Sequence, residues 1–253
     1  MKIIKAGYEI VDPKIENAKK DIYRKIERAG RTCYKSESKI TDESAAKFVA
    51  NLVKNHHEAM LEHASMTVIF TVDRGVSHEL VRHRMASFAQ ESTRYCNYAS
   101  GKFGEELTFI EPVWFQDGSF DEAKEKIELL ASSNMTIEQW DALHADKELF
   151  RKFCEYKVWR DTCSEAEWTY KELLGHEYHW TPEMARSILP NSLKTEVVVT
   201  ANMREWRHIL NLRAAGTTGK PHPQMAEVMI PLAGELATYM PELFGDIAEK
   251  IKG

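Results

Sequence analysis

Two stretches of the chain alternate with the period of a half-buried strand. In residues 66–72 (MTVIFTV), Val68, Phe70 and Val72 fall on one face and Thr67, Ile69 and Thr71 on the other. Residues 195–200 (TEVVVT) repeat the pattern. Other segments carry helical spacing. Ile15, Ala18, Ile22, Ile26 and Ala29 predict a helix opened by Asp12-Pro13 and ended by Gly30. Ala45, Phe48, Val49, Leu52 and Val53 predict a second, capped by Thr41-Asp42. A long helix is expected over about 146–174, with Leu149, Phe153, Tyr156, Cys163, Ala166, Tyr170 and Leu173 as its stripe. Shorter helices are expected from Thr181-Pro182 and over 122–131, and a weak strand over 107–110. A final helical region, 225–244, should kink or split at Pro231. Residues 2–10 can start as a strand, and 31–36 read as a polar loop. Strands interspersed with helices predict an α/β (α+β) protein: a mixed, mostly antiparallel central sheet flanked by helices. With no repeat, linker or low-complexity tract, 1–253 reads as a single domain with a longer helical section around 112–180.

The helix predicted over 203–213 is informative on a wheel of about 100° per residue. Met203, Trp206, Ile209 and Leu210 form an apolar arc, and Arg204, His208 and Asn211 a polar face. Arg213 falls inside the apolar arc. A guanidinium directed into a core needs an anionic or hydrogen-bonding partner; the other reading is a frayed last turn complementing the helix dipole. Asn202, with Glu205 three residues on, marks the helix start.

Composition narrows the function. The 253 residues are 43% hydrophobic with a net charge of −5, so no global basic surface suits nucleic acid. Against that acidic background, residues 82–95 (RHRMASFAQESTRY) hold three arginines, a histidine and three aliphatic hydroxyls. This cluster leaves the end of a short helix that Ser77 is expected to cap and that carries Val76, Leu80 and Val81 inward. Arg forks match phosphate bidentately, and Ser87, Ser92 and Thr93 add neutral donors. Two readings stand: an anion site, most simply for phosphate, or a solvated face with Arg84 and Arg94 paired to Glu79 or Glu91. The four cysteines lack metal or redox spacing. His56, His57 and His63 lack the spacing of a helical metal pair, so no metal site is expected. The start of the chain is too charged for a signal peptide and no run approaches a membrane span; a cytosolic (cytoplasmic) protein with no membrane partner is expected.

Arg82-His83-Arg84, seven residues, then Ser92, continuing to Arg94 and Tyr95, resembles the signature of the flavin-dependent thymidylate synthases. Two further blocks are similar to that family: Ala185-Arg186 through Leu189-Pro190, and Asn202-Met203-Arg204 through Asn211-Leu212-Arg213. The resemblance covers most of the chain except the long middle section. It implies reductive methylation of dUMP to dTMP, with methylenetetrahydrofolate as carbon donor, FAD as hydride carrier, NADPH as reductant and no covalent enzyme nucleophile. It assigns dUMP to Glu79, Arg82, Gln90, Glu91, Ser92, Thr93, Arg94, Arg186 and Arg213, with Arg213 catalytic in activating the uracil. It assigns FAD to Arg82, His83, Arg84, Gln90, Asn202, Arg204 and His208. It also implies a homotetramer with shared sites, in which Arg186 acts on a neighbour's nucleotide. Two positions depart from the family: Ala59, where a hydroxyl residue is usual, and Glu79, where Gln is frequent. They keep open a nucleotide-binding protein on the same fold without flavin turnover. A metal-dependent hydrolase using His56, His57 and His63 ranks far below both.

Overall fold

The computed structural model describes residues 1–11 and 15–253. In chain order the strands are β1 (Lys2–Ile4), β2 (Gly7–Ile10), β3 (Ser65–Asp73), β4 (Ser87–Gln90), β5 (Thr108–Ile110) and β6 (Lys194–Asn202). The helices are α1 (Ile15–Cys33), α2 (Ser44–Lys54), α3 (Arg74–Leu80), α4 (Asp121–Ala131), α5 (Ile137–Ala145), α6 (Lys147–Leu174), α7 (Pro182–Ala185), α8 (Met203–Arg213), α9 (Pro223–Tyr239) and α10 (Pro241–Lys252). The expected class, helices around an antiparallel sheet, is what forms. Its contacts group into two compact units, residues 1–5 with 91–194 and residues 6–90 with 195–253.

The second unit holds a four-stranded sheet in the order β2-β3-β6-β4. β2 runs antiparallel to β3, with Tyr8 opposite Phe70, and β4 antiparallel to β6, with Phe88 opposite Val199. The alternation read in the sequence decides the faces. Val68, Phe70 and Val72 of β3, with Val197, Val199 and Ala201 of β6, are buried in one core with α8, α9 and α10. Trp206 of α8 is fully buried, and its indole N–H donates to Met66 O at 3.0 Å.

Several boundaries differ from expectation. The helix start at Asp12-Pro13 lies outside the described residues. Gly30 does not end α1, which continues to Cys33. A Cβ at Gly30 would lie 2.6 Å from the Phe48 ring, so this glycine permits α2 to approach. Arg31 belongs to α1 rather than a loop, and its fork is held by Glu27 at 2.9 Å. α2 starts at Ser44, two residues beyond the expected cap. Asp73, not Ser77, caps α3 by accepting from Val76 N at 2.8 Å. Asp73 ends a strand with its carboxylate free to turn back, whereas Ser77 lies inside the helix and bonds Arg74 O. Val81 is 39% exposed, because the helix stops before it. α9 runs unbroken through Pro231; the break comes at Met240, before Pro241 at the first turn of α10. The strand expected over 2–10 divides into β1 and β2, which join different sheets.

The first unit pairs β1 parallel to β5. Asp146 caps α6 by accepting from Glu148 N and Leu149 N. Phe153 and Tyr156 of α6 bury with Phe115 and α4, while Cys163 and Tyr170 bury with Leu107 and Phe109. Trp159 packs on Phe115, whereas Trp168 is 59% exposed. α5 carries little sequence signal, because its apolar stripe is short, with Leu143 its buried residue.

Candidate active site

In the second unit the site is built at the two ends of α8 and the C-terminal end of α3. Asn202 ends β6 and caps α8, its side-chain oxygen accepting from Glu205 N at 2.8 Å. Arg204 lies one residue into the helix and reaches Glu62 at 2.6 Å. Asn202, Arg204, Glu205, Arg207, His208 and Asn211 line a cleft of about 400 Å³ with Glu58, Glu62, Met85, Leu212 and Thr217. The expectation that His208 and Arg204 share a polar face therefore holds geometrically.

Arg213, at the other end of α8, turns into the protein as its place on the wheel demanded. Its Nη1 donates to Glu79 Oε2 at 2.7 Å and its Nε to His83 Nε2 at 3.2 Å. The side chain is 23% exposed, so the frayed-turn alternative does not describe it. Glu79, the residue that departs from the family pattern, is its counter-ion. His83 is buried, with its ring edge-on to His208 at 5.9 Å. Burial, and then the neighbouring Arg213 and His208, push its pKa from 6.5 to about 4, so the ring is neutral. Glu205 is buried too, and burial raises its pKa above the ordinary carboxylate range.

Arg82 and Arg84 are exposed and make no side-chain bond among the described residues. Gln90 donates to Ser77 Oγ at 3.0 Å and to Thr195 Oγ1 at 3.3 Å. Ser87 lies on β4 in this unit, whereas Ser92 and Thr93 belong to the other. Ala59 is exposed on the 3-10 turn Glu58–His63.

The first unit carries the remaining signature residues. Arg186, just past α7, donates to Thr93 Oγ1 at 3.3 Å. Arg94 is exposed, and its Nε donates to Glu183 of α7 at 2.6 Å. Ser92 Oγ accepts from Arg94 N at 3.3 Å. Glu91 is engaged by Lys194 at 3.1 Å and Tyr98 at 2.9 Å. The solvated-face pairing is thus corrected: Arg94 takes Glu183, Glu79 takes Arg213, Glu91 takes Lys194, and Arg84 takes none among the described residues. Glu91 lies only three residues from Arg94 in sequence, yet helix α7 brings in the Glu183 carboxylate from 89 residues away.

Two residues escaped the sequence reading. Arg207, 6% exposed at its side chain, grips Asp246 with both terminal nitrogens at 2.8 and 2.9 Å, donates to Leu243 O, and reaches Glu58 at 3.3 Å. On the wheel it falls about 40° from Met203, beside the apolar arc, which was the available signal. Glu205 was read as a helix-start residue, yet its carboxylate faces His83 Nδ1 at 3.7 Å.

His83, Glu205 and His208 each offer one ligand atom within 4.8 Å of the others. A cation there conflicts with the Arg213 bond. That bond takes the lone pair of His83 Nε2 and leaves the proton on Nδ1, the nitrogen facing Glu205. An anionic, hydrogen-bonding ligand fits the donor set better: a helix N-terminus with Asn202, the Arg204 fork and His208. Burial pushes the Cys163 thiol up to about 12, so this cysteine is not a ready nucleophile.

A family model described as Thymidylate synthase complementing protein matches residues 14–242. The chain belongs to that family. Members with curated names agree. A flavin-dependent thymidylate synthase of Mycobacterium sp. (strain JLS) is 30% identical over 224 residues, spanning 87% of this chain and 78% of the relative. One from Corynebacterium aurimucosum is 29% identical over 239 residues, spanning 93% and 84%. The fold agrees as well. The crystal structure of a UMP/dUMP methylase PolB from Streptomyces cacaoi bound with 5-Br UMP superposes with a TM-score of 0.64 at 19% identity, over 99% of this chain and 97% of that one. All three signature blocks of this thymidylate synthase complementing family member lie inside the matched residues.

Proposed function

We propose that this chain is a flavin-dependent thymidylate synthase that reductively methylates dUMP to dTMP, with methylenetetrahydrofolate as carbon donor and NADPH as reductant. Family membership and the names of its relatives support the reaction class. The observation that carries the assignment to residues is α8. One helix presents the cleft-lining Asn202, Arg204 and His208 and the inward Arg213 fork.

FAD, when bound, supplies hydride carriage. Asn202, Arg204 and His208, with His83, Arg82, Arg84 and Gln90, bind and orient it. Arg94, Ser92 and Arg186, with Thr93 steadying Arg186 and Glu91 nearby in sequence, hold the nucleotide phosphate. Arg213 stabilises negative charge developing on the uracil ring, a preorganised donor acting where charge appears. Arg82, Gln90 and Glu79 complete the dUMP set, with Glu79 holding the Arg213 fork. No side chain is needed as a covalent nucleophile. The exposed Arg94 and Arg186 suit a site completed between copies of the chain, in a homotetramer. We read the enzyme as cytoplasmic; among the described residues no helix is long and apolar enough to cross a membrane.

A second reading, nucleotide binding without flavin turnover, draws on one observation: the Glu79 carboxylate already occupies the Arg213 fork. The visible spectrum of the purified protein separates the two. Flavin bands that bleach faster with NADPH when dUMP is present support the synthase, and Arg213→Ala should keep the flavin and lose dTMP formation. A colourless protein that binds dUMP and takes up no added FAD would refute the synthase in favour of the second reading.

A further inference from the structure

Arg213 owes its orientation to two partners, and only one of them is charged. Glu79 sits against Nη1; at Nε the partner is an imidazole nitrogen. An arginine Nε–H can only donate, so His83 Nε2 must present its lone pair. The ring is neutral, so its single proton sits on Nδ1. Facing Nδ1 is Glu205 Oε1 at 3.7 Å, longer than a hydrogen bond but close enough for a carboxylate to favour a proton on that nitrogen. Glu205 is 8% exposed, lines the cleft, and its carboxylate receives no hydrogen bond among the described residues. What it faces is the His83 N–H.

We propose that Glu205 is a positioning residue for Arg213, acting through His83: it selects the Nδ1–H tautomer, which leaves Nε2 to accept from the Arg213 guanidinium. The opposite tautomer would set an Nε2–H against the Arg213 Nε–H and a lone pair against the carboxylate, two repulsions at once. The inference rests on the reading that Arg213 acts on the uracil. It adds a residue that neither the signature nor the spacing of the family blocks singles out. Protonated Glu205 could donate to Nδ1 and so favour the wrong tautomer. Burial raises the Glu205 pKa, while His208 and Arg204 lower it in part. Around His83 the charged and titratable groups are Arg213, Glu205 and His208, with Glu79 beyond Arg213. Alignment of the fork is therefore lost on the acid side, at a pH above the range of an ordinary glutamate.

The test uses the full-length protein with ¹⁵N-labelled histidine, comparing parent, Glu205→Gln and Glu205→Leu, with His83→Gln to assign the signal. Imidazole ¹⁵N shifts report the tautomer without turnover. Parent and Gln variant should carry the proton on Nδ1, since a Gln oxygen can still accept from it, and the Leu variant should lose that preference. In dTMP formation the Leu variant should lose roughly ten- to hundredfold in kcat, as a displaced catalytic group does, with KM for dUMP little changed. The Gln variant should recover most of that loss and, having no carboxylate to protonate, lack the acid limb of the parent's pH profile. An unchanged Nδ1–H tautomer in the Leu variant, or a parental kcat for it, overturns the proposal. Failure of the underlying reading is separate: it would appear as parental turnover in Arg213→Ala, whatever the histidine signal does.

Discussion

The buried, neutral His83 makes the second unit sensitive to acid in a way that can be measured. Its pKa falls from 6.5 in the unfolded chain to about 4 in the folded one, chiefly through burial. The group is therefore depressed on folding. As pH drops below 6.5 the unfolded chain takes up this proton and the folded chain does not, so stability falls until the folded ring also protonates near 4. Below that there is no further loss. Between pH 7 and 4.5 the two pKa values give a loss of about 2.5 kcal/mol from this one group. Glu205, whose pKa is raised, opposes the trend by taking up a proton earlier in the folded state. Its contribution and those of other carboxylates are removed by comparing the parent with His83→Gln. Trp206 is the only tryptophan of the second unit, the other five lying between residues 114 and 180. Fluorotryptophan NMR in urea can therefore follow this unit's unfolding by itself. The parent should lose about 2 kcal/mol more than the variant over this pH range. Equal losses in the two proteins would mean that His83 does not titrate as a buried, neutral ring, and the tautomer argument would lose its basis with it.

Two other perturbations test the packing and the phosphate set. Gly30→Ala should destabilise by about 1–3 kcal/mol, against the usual gain for Ala in a helix, because its Cβ would meet the Phe48 ring at 2.6 Å. Urea unfolding should show recovery when Phe48→Leu is added, and a stabilised single variant would contradict the close approach. The Arg94–Glu183 pair is exposed on both sides, worth at most about 1 kcal/mol. Glu183→Gln should free the Arg94 fork and tighten dUMP about two- to fivefold by calorimetry, and Arg94→Ala should weaken it. Weaker binding in Glu183→Gln would sink the phosphate role of Arg94.

How much of this was readable in advance varies with the range of the interaction. The alternation in β3 and β6 and the apolar arc of α8 are local periodicities, and the core faces they implied are the faces that bury. Arg213 stood out for the same reason, as a charge placed among apolar positions, and Asn202 as a helix start. The signature from Arg82 to Ser92 carried the family without any structure. Caps and breaks were less legible. Asp73 and Ser77 are both good capping residues, and only the end of β3 decides between them. Pro231 and Pro241 look alike in sequence, yet only the second interrupts a helix.

Partner choice was not legible at all. Glu79 finds Arg213 134 residues away, Arg94 finds Glu183 across 89, and Arg207 finds Asp246 across 39. A charge's partner depends on which surfaces are pressed together, and one sequence contains no record of that. The sequence by itself determined the periodic elements, the inward-facing arginine and the family. The tertiary structure alone decided which carboxylate each arginine meets, which tautomer His83 holds, and that Glu205 is buried facing it. Periodicity is written in neighbouring residues, whereas burial and electrostatic pairing exist only after the chain has closed on itself.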